Sequence, residues 1–285
     1  MSDLDTNTGS GAAPADVAEL MVCTMSDWLL QAEVIQLGLA SALNQVAALL
    51  AQARTNGLGP ALEDPAALTL TRAQRPAFLS RSERAAQLGA LRRYEAPEWI
   101  AQMMPRLAGR VRQFVRPLQI DARGRINSLH VADRQGKRRR FAGLAGLAEL
   151  AEITQPFLVY LPQQDKRCFV DAVDFVVADP LAAHAPGVGR VVMVTDLAVF
   201  EFTSAGGRAI SRHPDVTHEM LRERSPAAVE IDNLPLTRSP DSALLQSLRT
   251  QIDPHRVRDI EFASGTARRD ALLRLHALEA AGDLP

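Results

Sequence analysis

Glu63 is the side chain in this sequence whose type and setting best fit a chemical role. It lies in residues 55–65, where Asn-Gly, Gly-Pro and Asp-Pro pairs predict a loop. Glycine and proline permit close approach of a ligand, so the Glu63 carboxylate could attack a thioester if hydrogen-bond donors stabilised the oxyanion. From these residues alone, an exposed loop glutamate without a chemical role is the favoured alternative.

Other residue types that often perform catalysis are poorly spaced for it. His213 and His218 are five residues apart, but they form no HExxH pattern and have no evident third ligand, so we predict no metal site. Cys23 and Cys168 match no zinc or redox motif and are expected to be buried thiols in a reducing compartment. No serine lies in a GxSxG nucleophile elbow.

The elements before Glu63 predict the start of a parallel sheet. Residues 34–39 read as a short strand that ends around Gly38, and residues 41–54 are an Ala- and Leu-rich helix. Ligands collect where the strands of such sheets end, which makes Gly38 a candidate binding position, although a lone glycine is more often only a turn. Ahead of this unit, Asp16 is predicted to cap a helix with one apolar face.

The stretch 189–202 predicts a strand buried on both faces, a polar break at Thr195-Asp196, and a second strand that leads into a hairpin. The fold class that follows is α/β, with an open, mostly parallel sheet flanked by helices. Further strands are predicted at 114–120, where Pro117 indicates either an edge strand or a bend, and at 126–131, 157–161, within 167–177 and at 260–262. Further helices are predicted within 95–109, up to Ile153, and at 217–224, 242–249 and 266–280.

Two neighbouring features could contact an anion. Residues 137–140, Lys-Arg-Arg-Arg, are favoured as a solvated loop, with a phosphate contact as the alternative. Gly143 and Gly146 precede a helix, whose free backbone N–H groups could hold an anion or an oxyanion. The full GxGxxG pattern is absent, so this signal is weak on spacing alone.

The composition excludes several classes of protein. With 285 residues, 47% hydrophobic and 23% charged, and a formal net charge of -1, the chain is typical of a globular protein and not of a nucleic-acid binder. No apolar run approaches the roughly 20 residues that cross a bilayer. Residues 1–15 are expected to be a disordered tail and not a signal peptide, and 16–285 one domain of a cytoplasmic protein.

Several segments share their order and spacing with the motifs of one family. Residues 190–202 match a VVTDLxVF strand, and residues 213–217 match an HPGVT turn with Asp215 in place of the glycine. Residues 166–175, 119–127 and 248–262 match RxFVEKVDF, AQIDxxGNIN and LREEIDPxGIRxLEF. Over about residues 19–275, the chain therefore resembles the B (beta) subunit of family I CoA-transferases, the glutaconate CoA-transferase group.

The resemblance implies an enzyme that moves CoA between an acyl-CoA and a carboxylic acid through a glutamyl-CoA thioester. In the register of the family's ESG loop, with a one-residue gap, Glu63 is the nucleophile. Gly38, Gln119, Asn127, Gly143 and Gly146 are the positions expected to bind CoA, which is a substrate and not a permanently held cofactor. The partner implied is a CoA-transferase A (alpha) subunit in a hetero-oligomer of catabolism, with no nucleic acid and no membrane.

The chain departs from the family's pattern at three places. Gln36 stands at the position of the family's first strand-end glycine, Asp64-Pro65 replaces Ser-Gly, and residues 116–118, Arg-Pro-Leu, replace small residues. These changes add bulk or rigidity where close backbone approach is expected. Two alternatives therefore accompany the transferase: a subunit of a ring-opening CoA-ester hydrolase, and a non-catalytic subunit that completes the A-subunit site.

Overall fold

Two five-stranded sheets form the centre of the protein, whose computed structural model describes residues 13–38, 41–56, 58–64, 69–71, 91–95, 104–133, 135–141, 143, 146–185 and 187–281. In the first sheet, β1 (Val34–Gln36) pairs in parallel with β2 (Ala61–Asp64) and β5 (Val111–Arg112), and β3 (Thr69–Thr71) and β4 (Arg92–Arg93) extend it antiparallel beyond β2. In the second, β6 (Phe114–Val115), β11 (Phe157–Leu161) and β13 (Val191–Thr195) are parallel, and β14 (Ala198–Thr203) and β15 (Gly206–Arg212) follow antiparallel.

The two sheets adjoin through residues 111–115. Only Gln113 separates β5 from β6, so the first half of this segment pairs with β1 and the second half with β11. All of these pairings are parallel, and the strands β2, β1, β5–β6, β11 and β13 therefore end on the same side. We call this side the carboxyl edge, and it is the place where ligands bind in open α/β sheets.

Smaller elements surround the sheets. A three-stranded sheet joins β7 (Gln119–Asp121), β8 (Ile126–Asn127) and β12 (Phe169–Val170), and β9 (His130–Ala132) and β10 (Arg138–Arg140) form a hairpin. The helices are α1 (Val17–Leu29), α2 (Ala42–Ala53), α3 (Met104–Leu107), α4 (Leu147–Ile153), α5 (His218–Arg224), α6 (Ser242–Ser247) and α7 (Gly265–Ala281). A π-helical turn, Leu248–Ile252, and a 3-10 helix, Val257–Glu261, lie between the last two.

The side chains of the second sheet alternate between two hydrophobic clusters. Leu158, Val192 and Val194 point to the face covered by α1, α2 and the C-terminal helices, while Val159 and Met193 point to the face covered by α4, α5 and the small sheet. All five residues of β11 and of β13 are buried. A strand buried on both faces is a nearly continuous apolar run, which explains why these two strands can be predicted from the sequence.

Most of the predicted elements are confirmed. The α/β class, β11, β13, β14, α1 with its Asp16 cap, α2 and the last helix agree with the sequence analysis to within about two residues. Of the two alternatives for 114–120, the interruption is observed between β6 and β7, and β6 is also the last strand of its sheet.

Three predictions of local structure are wrong. Glu63 lies in strand β2 and not in a loop. The predicted strand 260–262 is the end of a 3-10 helix, and the region 167–177 contains only the two-residue strand β12. Most of the predicted helix in 95–109 and of the tail 1–15 lies outside the described residues, as do Ala142, Leu144 and Ala145 of the glycine loop.

Two features are absent from the described residues. Among the helices described, none is long and apolar enough to span a membrane. Within the same residues, no cluster of three or more histidine, cysteine or acidic side chains is arranged to bind a metal ion.

A buried ionic network joins the first helix to the C-terminal turn. Arg258, with 1% of its side chain exposed, donates to Glu19 over 2.9 Å and to Asp253 over 2.8 Å, and both carboxylates are equally buried. Arg249 donates to the same Glu19 over 2.7 and 2.8 Å. Burial raises the pKa of Glu19, but the hydrogen bonds from Arg249 and the Asp16 N–H, together with the charges of Arg258 and Arg249, bring it below its ordinary value.

Replacement of Arg258 should therefore be costly. Arg258→Met leaves two buried carboxylates without their shared cation, and we expect a loss of about 3–5 kcal/mol in the free energy of unfolding. Arg256→Gln is the matched control, because Arg256 is half exposed in its pairs with Asp16 and Asp259 and should contribute no more than about 1 kcal/mol. Equal denaturant midpoints for the two variants would contradict the assignment.

Candidate active site

Glu63 lies at the carboxyl edge, on the strand next to β1. It is opposite Gln36 in the parallel register, and the Leu37 N–H donates to the Glu63 carbonyl over 2.9 Å. Its side chain is fully buried, which also makes the exposed-loop alternative wrong. A buried carboxylate at the end of a parallel strand is a candidate for chemistry, because open α/β sheets bind their ligands at that edge.

The segment after β1 has a backbone shape that requires glycine. Gly38 has a φ of +68°, and a Cβ atom there would lie 2.8 Å from the Nε2 atom of Gln113. Asn44, on the first turn of α2, forms hydrogen bonds with a strand of each sheet. Its amide donates to the Gln36 carbonyl over 2.8 Å and accepts from the Phe114 N–H over 3.0 Å. The predicted ligand position Gly38 is thus held at the carboxyl edge, within two residues of Gln36.

The buried carboxylate of Glu261, in the 3-10 helix, binds the N-terminal end of helix α2. It accepts from the Leu43 N–H over 2.9 Å and from the Tyr160 hydroxyl over 2.8 and 2.9 Å, and Arg116 donates to it over 3.0 Å. Burial, together with the charge of Glu261, raises the pKa of Tyr160 well above its usual value, so the phenol remains protonated as a donor. Tyr160 is also hydrogen-bonded to Ser41, at the end of the segment that follows β1.

A second polar cluster lies where β13 ends. The Thr195 hydroxyl donates to the Gln164 side chain over 2.8 Å, and His213 bridges the Thr195 carbonyl and the Thr237 hydroxyl over 2.8 and 2.9 Å. Because a carbonyl only accepts, Nε2 of His213 carries the proton and Nδ1 accepts from Thr237. His213 therefore fixes the position of two strand ends and is not arranged as a metal ligand.

Asp196 is a further acidic group at the same edge. Its carboxylate accepts from the Gln164 N–H over 2.7 Å, and burial raises its pKa to about 6. A carboxyl with that pKa exchanges a proton near neutral pH, which is the property required of a general acid or base.

Gln119 and Asn127 lie together in the small sheet. The Asn127 amide donates to the Gln119 side chain over 2.7 Å and to the His130 carbonyl over 2.6 Å, and Gln119 in turn donates to Asp174 over 3.2 Å. These bonds fix the hairpin β9–β10 relative to β12. Both residues are buried, and their predicted contact with CoA remains a prediction.

The glycine loop follows the hairpin. Gly143 has a φ of +89°, with Leu129 only 2.8 Å from where a Cβ would be, and Gly146, with a φ of +80°, caps α4. The last residue of α4, Ile153, packs beside Val34 and Val111, the first residues of β1 and β5. The helix therefore ends at the amino side of the sheet, and its glycine start points towards the carboxyl edge, as in a βαβ crossover.

The two cysteines do not provide a nucleophile. Burial raises the pKa of Cys23 to about 12 and that of Cys168 to about 11, so both remain thiols at neutral pH. Sequence reasoning missed Glu261, Tyr160, Arg116, Asn44 and Asp196 as members of the site. A usable signal existed for Glu261, since it lies in the C-terminal motif of the resemblance, but nothing in the sequence linked it to Tyr160.

Solved structures resemble this chain over most of its length. The decarboxylase AibA/AibB aligns with a TM-score of 0.71 and 26% identity, over 85% of this chain and 97% of that chain. Several further matches are variants of that decarboxylase at a single cysteine. No protein-family model and no curated protein matches the sequence.

Two other neighbours establish the same fold. Glutaconate coenzyme A-transferase from Acidaminococcus fermentans has a TM-score of 0.69 at 19% identity, over 84% of this chain and 95% of that one. IpdAB from Rhodococcus jostii RHA1 has a TM-score of 0.67 at 23% identity, over 88% and 99%. The chain therefore has the fold of the CoA-transferases, as the sequence motifs implied.

The pH dependence of stability tests the role given to His213. Burial lowers the pKa of His213 to about 4 from an ordinary value of 6.5. Between these two pH values, His213 is therefore protonated in the unfolded chain but neutral in the native protein. The free energy of unfolding should therefore fall as the pH drops from 6.5 towards 4, by at most about 1.4 kcal/mol per pH unit.

The contribution of His213 is measured as a difference between variants, because Asp196 changes stability in the opposite direction over the same range. His213→Asn should be less stable at pH 7 and should lose this acid-dependent part, whereas His218→Asn should keep it. Parallel stability profiles for the wild type and His213→Asn, in urea titrations from pH 7 to pH 4, would be incompatible with the buried neutral imidazole.

Proposed function

We propose that this chain is the B-type subunit of a CoA-transferase and that Glu63 is its nucleophile. The observation that carries the proposal is the position of Glu63, buried on β2 at the carboxyl edge of a sheet with the CoA-transferase fold. The motif register of the resemblance assigns this role to Glu63, and the burial of Glu63 at a strand end supports the proposal. The same proposal includes an A-type partner subunit, supported by neighbours whose names, AibA/AibB and IpdAB, give two components.

The reaction proceeds through two covalent states of Glu63. Its carboxylate attacks the carbonyl carbon of the acyl-CoA and displaces the CoA thiolate, which leaves a mixed anhydride. The thiolate then attacks the Glu63 carbonyl carbon, releases the first carboxylate and forms the glutamyl-CoA thioester. A second carboxylic acid reverses both steps and leaves as the new acyl-CoA, so no co-reactant is consumed.

Positive-φ glycines are proposed to bind the CoA thioester. Gly38 lies beside the strand end that carries Glu63, and Gly143 and Gly146 precede the start of α4, which points towards the same edge. Backbone N–H groups in such loops can stabilise the oxyanion of each tetrahedral intermediate. Because Glu63 is fully covered in the single chain, its surroundings must open when the thioester enters.

A second candidate is a subunit that acts on a CoA ester without forming a glutamyl thioester. The likeness to the decarboxylase AibA/AibB, at 26% identity, favours this reading, and the bulkier residues at Gln36 and in 116–118 agree with it. In this case Glu63 or Asp196 would act as a base towards water or substrate, as in a CoA-ester hydrolase. A purely structural subunit is the remaining alternative.

Replacement of Glu63 tests the transferase. In the complex with the partner subunit, Glu63→Gln removes the nucleophile and should lower the rate of CoA transfer from an acyl-CoA to an added carboxylic acid by about a thousandfold or more. Glu33→Gln is the matched control, since Glu33 is a largely exposed carboxylate just before β1, paired with Arg110 at 3.5 Å. The control should retain the wild-type rate.

The products separate the alternatives. A transferase forms a new acyl-CoA only when the acid is present, whereas a hydrolase releases free CoA without it and a decarboxylase releases carbon dioxide with the thioester intact. Undiminished transfer by the Glu63→Gln complex would refute the nucleophile, and free CoA formed independently of the acid would favour the hydrolase.

A further inference from the structure

Helix α2 begins with a serine that does not cap it. Ser41 occupies the N-cap position, where a serine hydroxyl normally accepts from an N–H group of the first turn, but its side chain makes no such bond. The Leu43 N–H donates instead to Glu261, 218 positions further along the sequence, over 2.9 Å. A carboxylate suits this place, because the N-terminal end of a helix is the positive end of its dipole. The Ser41 side chain therefore contacts other groups.

Ser41 belongs to a buried hydrogen-bond network, which we call the cap network. Ser41 bonds to Tyr160, and the Tyr160 hydroxyl lies 2.8 and 2.9 Å from the two carboxylate oxygens of Glu261. Because a carboxylate only accepts, Tyr160 donates its single hydroxyl proton to Glu261 and accepts from Ser41. All three residues are buried, so a change at one of them leaves a polar group without its partner and away from water.

The cap network ends against Gly38. The Ser41 hydroxyl oxygen is 3.2 Å from the place that a Cβ atom of Gly38 would occupy, and Nε2 of Gln113 is 2.8 Å from the same place. Gly38 is thus held between two side chains, with a φ of +68°. One residue earlier, the Leu37 N–H donates to the carbonyl of Glu63. The position of Ser41 therefore limits where the backbone beside Glu63 can lie.

We propose that Tyr160 and Glu261 are positioning residues for the reaction at Glu63. They act through Ser41, which holds the backbone at Gly38 in place. The inference rests on the proposed function, in which backbone N–H groups of this turn stabilise the oxyanion of each tetrahedral intermediate. Such donors are most effective when they are fixed beforehand, because no rearrangement is then needed as the charge develops.

The alternative role for the cap network is to stabilise the fold and nothing more. Loss of a hydrogen bond of that kind lowers the free energy of unfolding, but the protein that remains folded turns over at the normal rate. Misplaced oxyanion donors instead lower kcat and leave KM nearly unchanged, because the extra negative charge exists only in the transition state. The discriminating quantity is therefore kcat, measured where every variant is folded.

Tyr160→Phe is the most direct variant, because it removes one hydroxyl from a buried ring. In the complex with the partner subunit, kcat for CoA transfer to an added carboxylic acid should fall at least about tenfold, with KM changed less than about twofold. Thr154→Val is the matched control. It also removes a buried hydroxyl, which donates to the Leu150 carbonyl over 2.7 Å just before β11, on the amino side of the sheet. This control should keep the wild-type kcat.

Variants of Glu261 separate its hydrogen bonds from its charge. Oε1 accepts from both the Leu43 N–H and the Tyr160 hydroxyl, whereas Arg116 donates to Oε2. Glu261→Gln keeps an oxygen for the first two bonds and should retain kcat within about threefold. Glu261→Ala removes them and should lose at least as much kcat as Tyr160→Phe. Equal losses in the two Glu261 variants would assign the effect to the charge that pairs with Arg116 and would overturn the positioning role.

A double-mutant cycle tests whether Ser41 transmits the effect. If Tyr160 acts through Ser41, the double variant Ser41→Ala/Tyr160→Phe should lose no more kcat than the more affected single variant, because either change alone already breaks the same network. Losses that multiply in the double variant would be two independent effects and would contradict the proposed network.

Amide hydrogen exchange reports on the backbone independently of activity. In the same complexes, exchange over residues 37–43 should be at least about tenfold faster in Tyr160→Phe and in Glu261→Ala, and unchanged in Thr154→Val. Unchanged exchange in Tyr160→Phe, or faster exchange with an unchanged kcat, would overturn the proposal. Failure of the proposed function shows elsewhere, as transfer that survives Glu63→Gln, and the exchange rates still report on the cap network in that case.

Discussion

The structure depends on one shared strand, residues 111–115, which pairs with β1 through its first half and with β11 through its second. Its side chains Val111 and Phe114 are fully buried, and Asn44 bonds to its backbone at the point where pairing passes from one sheet to the other. Because every strand beside it is parallel, the ends of β2, β1, β6, β11 and β13 are forced onto one edge. This constraint, and not their neighbours in sequence, places Glu63, Arg116 and Asp196 at the same edge.

The C-terminal residues 249–261 pack against α1, the start of α2 and Tyr160 of β11. Arg249, Asp253 and Arg258 bind to one another or to Glu19 of the first helix, and Glu261 reaches the start of α2 and the phenol of Tyr160. Burying a charge costs free energy unless the charge is paired. These pairs therefore act mainly to determine which segments of the chain pack against each other. The motif that supplies these residues is therefore structural in most of its positions, and it sets the orientation of Arg116 through Glu261.

The sequence allows the regular parts of the fold to be predicted. Strands β11 and β13 are continuous apolar runs and α2 has a helical period, and these signals need no knowledge of distant residues. Strand β2 was missed because it has only four residues among turn-forming neighbours, and its pairing with β1 overrides their preference. Residues 260–262 resemble a short strand, but the N–H groups of Val257 and Arg258 donate to the Asp253 carboxylate and hold the segment helical.

The site was only partly predictable for the same reason. Glu63 is identified through a family motif. The hydrogen bond between Tyr160 and Glu261 joins residues 101 positions apart and produces no periodic pattern in the sequence. The contact between His213 and Thr237 depends in the same way on how two loops fold together. Long-range hydrogen bonds are set by topology, and a single sequence predicts them only after its fold is known.

The central claim, that Glu63 carries CoA, is tested most directly by trapping the thioester. The complex is incubated with an acyl-CoA, reduced with borohydride and digested with trypsin, which yields a peptide of residues 55–72 with Glu63 as its sole glutamate. The account requires Glu63 to appear as the corresponding alcohol only when the acyl-CoA was present. An unmodified Glu63 in a complex that transfers CoA under the same conditions would contradict it.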